Sequence, residues 1–265
     1  MIVKEINQYH ITLIETQIIE HTTINEQLVS DFKDYVLERL ENINLIESPD
    51  QELQKKLLYM AYLDSLAGAR YPSKRNKKAF ISVIKDYSTW EHSDRICPLA
   101  LKKLSDKHPQ YTELKGLTKK AYNQMVAQGG KFGAAQVNLH GLPSKDELDV
   151  VWPQDWNDDP NSPNRENLTQ IIQLYNCRNS LVHSFQHRKE SPYPRRNSNV
   201  IHYRQYMRAK GDSIITDLKH DEFELVHPIQ FLYKLCTEVT LNMTKFFLEE
   251  ETNPFERYYD DFGRY

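Results

Sequence analysis

The sequence is short of glycine, with eight in 265 residues. So few flexible positions, set among long Leu/Ile/Glu/Lys-rich runs, argue for helices and against a sheet protein with many tight turns. Cysteine is scarce as well. Cys97, Cys177 and Cys236 are an odd number with no Cys-x-x-Cys pair, which argues against a disulfide framework and reads as buried free thiols in a reducing compartment. No run approaches the ~18 consecutive apolar residues of a transmembrane helix. The first residues, MIVKEINQYHITLIE, lack a signal-peptide layout. A cytoplasmic protein with no membrane partner is therefore expected. Excess positive charge is also missing. The net charge is −3, so a nucleic acid would have to be met by a local patch.

Several catalytic signatures are absent. No serine sits in a G-x-S-x-G elbow. GGKFG at 129–133 does not continue into a phosphate-binding loop. The carboxylates between Asp146 and Asp159 lack calcium-loop spacing. His183 and His187 are one helical turn apart, but HSFQH has no glutamate after the first histidine and no evident third ligand. No metal and no cofactor are expected.

What is present fits one large domain or two small ones, with 39% hydrophobic residues to build a core. The periodicity predicts an all-α fold in the main. Helices are expected over 27–44, 51–69, 77–87, 97–107, 112–128, 165–187 and from Pro228 onward. In the last helix Ile229, Leu232, Cys236, Val239, Met243 and Phe246 form the stripe. Residues 222–226, EFELV, read as a short strand with 200–206 as its candidate partner in a β-hairpin. Residues 1–25 are an arm or a strand. Residues 134–165, rich in Pro, Asp and Asn, read as a long loop or insertion, with Ser162 or Asn164 capping the helix that follows. Residues 188–226 form a basic loop with the short strands. A helical domain over 26–250 and an aromatic, acidic tail at 251–265 complete the organisation.

The expected helix at 165–187 contains IIQLYNCRNSLVHSFQH. With Tyr175 set at 0°, Leu168, Ile171, Val182 and Phe185 fall at about 20°, 320°, 340° and 280°. Arg178 falls at about 300° and Asn179 at about 40°, inside that stripe, with His183 at about 80° on its edge. A buried guanidinium costs several kcal/mol unless paired. One account is structural: Arg178 pairs with an internal acid such as Asp64, and His183 is a satisfied edge histidine. Asp64 could equally pair with Arg70. The other account is chemical. An imidazole can move a proton near neutral pH. A guanidinium can hold a phosphate, and Asn179 stands one turn below His183 to orient it. Those three groups suffice for phosphodiester cleavage. Cys177, beside Arg178, reads as a packed thiol.

Arg178-Asn179-x-x-x-His183 on a helix resembles the R-x4–6-H signature of the HEPN superfamily, whose members often carry Asn, Asp or His directly after the arginine. The segment YLDSLAGARYPSKRNKKAFISVIKDYS similarly resembles the upstream helix pair of larger HEPN-like proteins. The resemblance implies a helical bundle that pairs two-fold, so that two copies of the motif share one composite cleft. It also implies a metal-independent endoribonuclease that leaves 2′,3′-cyclic phosphate and 5′-hydroxyl ends. Toxins, antiphage effectors and RNA-processing enzymes are typical members; other members only bind. Carried over, Arg178 and His183 are the catalytic pair and Asn179 a support. Asp64, polar within the apolar run LLYMAYLDSLA, reads from the sequence as a more distant helper that pairs with Arg178 or Arg70. An antitoxin or other regulatory partner is an expectation of the same kind. The chain departs from compact toxin members in size, and 1–25 and 134–165 are unexplained by the motif.

Two clusters supply local positive charge. Residues 187–210 hold Arg188, Lys189, Arg195, Arg196, Arg204, Arg208 and Lys210 against Glu190, with Tyr193, His202, Tyr203 and Tyr206 interleaved. Cations for phosphates with aromatics for bases is a single-strand RNA pattern. RYPSKRNKK at 70–78 has five cations and no acid. Both are candidate linings of an RNA path. A catalytically silent binding module, and a structural protein in which Arg178 is only a salt-bridge partner, remain the rivals.

Overall fold

The structure is a computed structural model that describes residues 25–128, 141–157, 160–184, 200–206 and 222–255. The described residues are mostly helical, with one short two-stranded sheet. We number the helices α1 (25–44), α2 (Gln51–Arg70), α3 (Asn76–Tyr87), α4 (Pro98–Lys107), α5 (Thr112–Gln128), α6 (Lys145–Val151), α7 (Gln170–Ser184) and α8 (Ile229–Glu249). The strands are β1 (His202–Tyr206) and β2 (Glu222–Val226). None of the described helices is long and apolar enough to cross a membrane. The residues gather into two compact units.

The first unit takes in 25–51, 58–89 and 233–255 of the described chain. Helical periodicity builds its core. Val29, Phe32, Val36 and Leu40 of α1 recur every three to four residues and are buried, as are Val239, Met243 and Phe247 of α8. Phe32 meets Phe247 and Phe255 edge to face, with centroids 5.9 and 5.6 Å apart. Phe247, rather than the expected Phe246, is the fully buried member of the last turn. Buried polar atoms are matched locally: Tyr62 and Thr240 share a 2.6 Å hydrogen bond, and Asn242 donates to the Tyr87 carbonyl at 3.0 Å. After α8 the chain turns through Glu251, a left-handed residue at φ 48°. The turn lets Thr252 N–H close on the Phe247 carbonyl at 3.0 Å.

The second unit takes in 52–57 and the described part of 90–232. Pro98 opens α4 at its first turn, where its missing N–H has no role. One cluster joins Leu101, Leu114, Leu117, Leu148, Trp152, Trp156 and Leu168; another joins Cys97, Met125, Leu142, Ile201, Tyr203 and Phe223. The hairpin is antiparallel, pairing His202 with Val226, Arg204 with Glu224 and Tyr206 with Glu222, as the strand reading of 200–206 and 222–226 expects.

The segment 134–165 is not one loop. Residues 129–140, 158 and 159 lie outside the described residues, but α6 stands within the expected insertion. Ser144 and Glu147 close a capping box, the Ser144 hydroxyl accepting from Glu147 N–H while Glu147 accepts from Ser144 N–H. The helix predicted from 165 is likewise broken. Asn164 caps a short 3₁₀ turn, Arg165–Leu168, and α7 starts only after Thr169.

Candidate active site

Helix α7 is held at its N-terminus by backbone far away in sequence. Gln170 and Ile171 donate to the carbonyls of Arg95 and Ser93, both at 2.9 Å, and Cys97 N–H returns a bond to Leu168 at 2.8 Å. Ile96 and Thr169 form a bridge between the two segments, and Ile96 N–H reaches the Pro143 carbonyl at 2.9 Å. First-turn donors that a helix leaves unmatched are thus satisfied by a distant extended segment. The Gln170 side chain adds a second tie: its amide donates to the Tyr203 hydroxyl at 2.7 Å, with both residues fully buried.

These ties set the rotation of the helix, and it is not the rotation expected. Gln170, Ile171, Leu174 and Leu181 are buried, as is Ile172 of the first turn at about 60°, whereas Val182 and Tyr175 are only half-buried. Relative to Tyr175 the buried line therefore centres near 260°, about a quarter-turn from the expected stripe. Asn176, Ser180 and His183 are exposed; Arg178 and Asn179 are half-buried. The trio does not interrupt this line: Arg178 lies at its edge, about 40° from the centre, while Asn179 and His183 stand about 140° and 180° away.

Arg178 and His183, five residues apart, diverge by about 140° on an α-helix. The arginine is brought round by Asn179, whose side-chain oxygen accepts from Arg178 Nη1 at 3.0 Å. The guanidinium carbon also lies 5.9 Å from the Tyr175 ring centre. Asn179 and His183, four apart, share a helix face. Guanidinium, carboxamide and imidazole thus form a polar ridge along the side of α7 away from its buried line, with the imidazole outermost.

Behind the ridge is a closed environment. Burial pushes the Cys177 thiol up, with Glu224 adding to the rise and Lys56 opposing it. The sulfur is therefore a packed thiol, as the sequence implies, and not an activated nucleophile. Lys56 is itself buried, paired with Glu52 at 2.7 Å. His227, wholly buried after β2, is held neutral: burial first, then the nearby Lys56 and His202, bring it down to about 3.

The other predicted residues are placed as follows. Asp64 lies on α2 in the first unit, whereas Arg178 belongs to the second. Arg70 donates to the Tyr87 hydroxyl at 2.6 Å and lies over Phe246 at 3.9 Å. Arg188, Lys189, Arg195, Arg196, Arg208 and Tyr193 fall outside the described residues, as does Phe185. Arg204 sits in β1 opposite Glu224. Two expected stacking platforms are corrected. Tyr203 is fully buried and bonded to Gln170, and His202 is 7% exposed, with Nδ1 3.0 Å from the Val200 carbonyl. Neither presents a face to a base: although successive strand residues point to opposite sides, His202 and Tyr203 are both buried, so β1 is covered on both faces here. Sequence reasoning also passed over Gln170. Its polarity disguises a buried position, and no spacing rule links it to Tyr203.

No family model, no curated protein and no solved structure matches the chain.

Proposed function

We propose that this protein is a HEPN-like endoribonuclease, working as a homodimer in which two α7 helices supply one composite site. The observation that carries it is the Arg178–Asn179 hydrogen bond beside an exposed His183. It couples a cation suited to phosphate with a proton-transfer group that substrate can reach.

The chemistry follows from those groups. One imidazole takes the proton of a ribose 2′-hydroxyl, whose oxygen attacks the adjacent phosphorus. The P–O5′ bond breaks, and a second imidazole, from the other copy, returns a proton to the leaving oxygen. Arg178 neutralises charge that builds on the pentavalent phosphate, an interaction stronger there than in the ground state. The products are a 2′,3′-cyclic phosphate and a 5′-hydroxyl. A defence, toxin or stress setting, in a cytoplasm shared with an inhibitory partner, accords with such an activity.

The test is cleavage of mixed RNAs in EDTA by wild type, His183→Ala and Arg178→Ala, with product ends mapped. Cleavage with cyclic ends, lost by at least ~100-fold in both variants, is expected for a lost general acid–base in one and lost charge stabilisation in the other. A well-folded wild-type dimer that binds RNA yet cuts none would reduce the site to a binding module.

A further inference from the structure

The basic run at 70–78 belongs to the first unit and is not part of the α7 ridge. It is ordered in a specific way. Tyr71 N–H closes the end of α2 on the Ala67 carbonyl at 2.8 Å, and Lys74 N–H bonds the Tyr71 carbonyl at 3.0 Å, making a tight turn. Arg70 is drawn inward over Phe246 and Tyr87, so its charge serves the fold. The Tyr71 hydroxyl bonds Asp86 of α3 and occupies that carboxylate. Lys74 lies over the Tyr71 ring, 3.6 Å from its centre, and donates to Ser82 at 3.0 Å. Arg75 and Lys78 are exposed and make no ion pair among the described residues. The first turn of α3 carries no acid.

Three cations, Lys74, Arg75 and Lys78, therefore project from a turn that is already fixed. Little ordering cost remains for a polyanion that binds there. An exposed lysine in a mixed-charge surface normally has acids around it. Here the nine residues hold none.

We propose that Lys74, Arg75 and Lys78 form a phosphate-backbone anchor for RNA, separate from the groups that cut it. The anchor rests on the reading of the protein as RNA-directed but not on catalysis by His183. It recognises charge and not sequence, because cations on a turn reach phosphates, and phosphate contacts carry no sequence information. Each phosphate contact on a single strand contributes about 0.7 to the slope of log affinity against log salt.

The experiment measures binding of fluorescent single-stranded RNA oligonucleotides to the full chain between 50 and 300 mM salt. His183→Ala is the background, so that cleavage does not intrude. Substitution of all three cations by Gln is expected to weaken binding tenfold or more near 150 mM salt and to flatten the slope by about 2. Arg75→Gln with Lys78→Gln, which touches neither the Tyr71 contact nor Ser82, is expected to give about two-thirds of that flattening. Arg75→Lys is expected to restore it. Unchanged affinity and slope in both variants would overturn the anchor. So would a wild type that binds no RNA at 50 mM salt but is retained on poly-glutamate through these three residues, which would make the patch a protein-docking surface. Wild type that binds through the anchor without cutting would leave the anchor standing while removing the ribonuclease.

Discussion

Arg178 and Asn179 are adjacent in sequence and bonded to each other through their side chains, guanidinium to carboxamide at 3.0 Å. Neighbours in a helix point about 100° apart, so this contact is an arginine folding back along the surface. Its effect is to hold the guanidinium on the His183 side of α7.

That contact predicts unequal effects of two substitutions. Asn179→Ala removes this hydrogen bond and should lower kcat about tenfold, the worth of one positioning hydrogen bond to a charged group. Asn179→Asp should do worse and should also raise KM. The carboxylate would neutralise Arg178 and repel phosphate. Single-turnover and steady-state cleavage of one RNA separates the two outcomes; equal losses would show that Asn179 does not steer the arginine.

His227 predicts an acid-sensitive fold. Its pKa is about 3 in the folded protein against 6.5 in an unfolded chain. Below pH 6.5 the unfolded state takes up a proton that the native state refuses, so stability falls with pH from 6.5 towards about 3. At pH 5 the loss is about 2 kcal/mol from this residue. Denaturation of wild type and His227→Phe at pH 5 and pH 7 isolates it, since the variant should lose less on acidification.

Glu251 predicts a stabilising replacement. It is a non-glycine residue at φ 48°, where the side chain crowds the backbone. Glu251→Gly removes that crowding at a position where a helix commonly ends on glycine, and should stabilise by about 0.5–1 kcal/mol. A lower Tm in a thermal melt would show that the carboxylate contributes more than the backbone conformation costs.

Much of the fold is legible in the sequence because its signals are local. Pro228 announces α8, Pro98 announces α4, and the alternation in EFELV announces β2. Ser144-x-x-Glu147 was equally local, but it stands among Pro, Asp and Asn residues that read as loop. The motif helix could be located but not rotated. Which side it buries is decided by Gln170, a polar residue made welcome in the core by Tyr203, 33 positions away. Hydrophobic periodicity counts such a residue as solvent-facing, and the expected stripe turned with that error. The same blindness made Tyr203 look like a base-stacking ring.

The tie between α7 and the 93–97 segment bears on when the proposed cutting surface can form during synthesis. Its acceptors, Ser93 and Arg95, leave the ribosome roughly 75 residues before the donors they wait for, an interval of about 4–15 s at ordinary elongation rates. Arg178, Asn179 and His183 follow Gln170 and Ile171 in the chain, so the ridge emerges onto acceptors already made. The nascent chain thus spends most of its time beside ribosomal and messenger RNA before the ridge can be oriented.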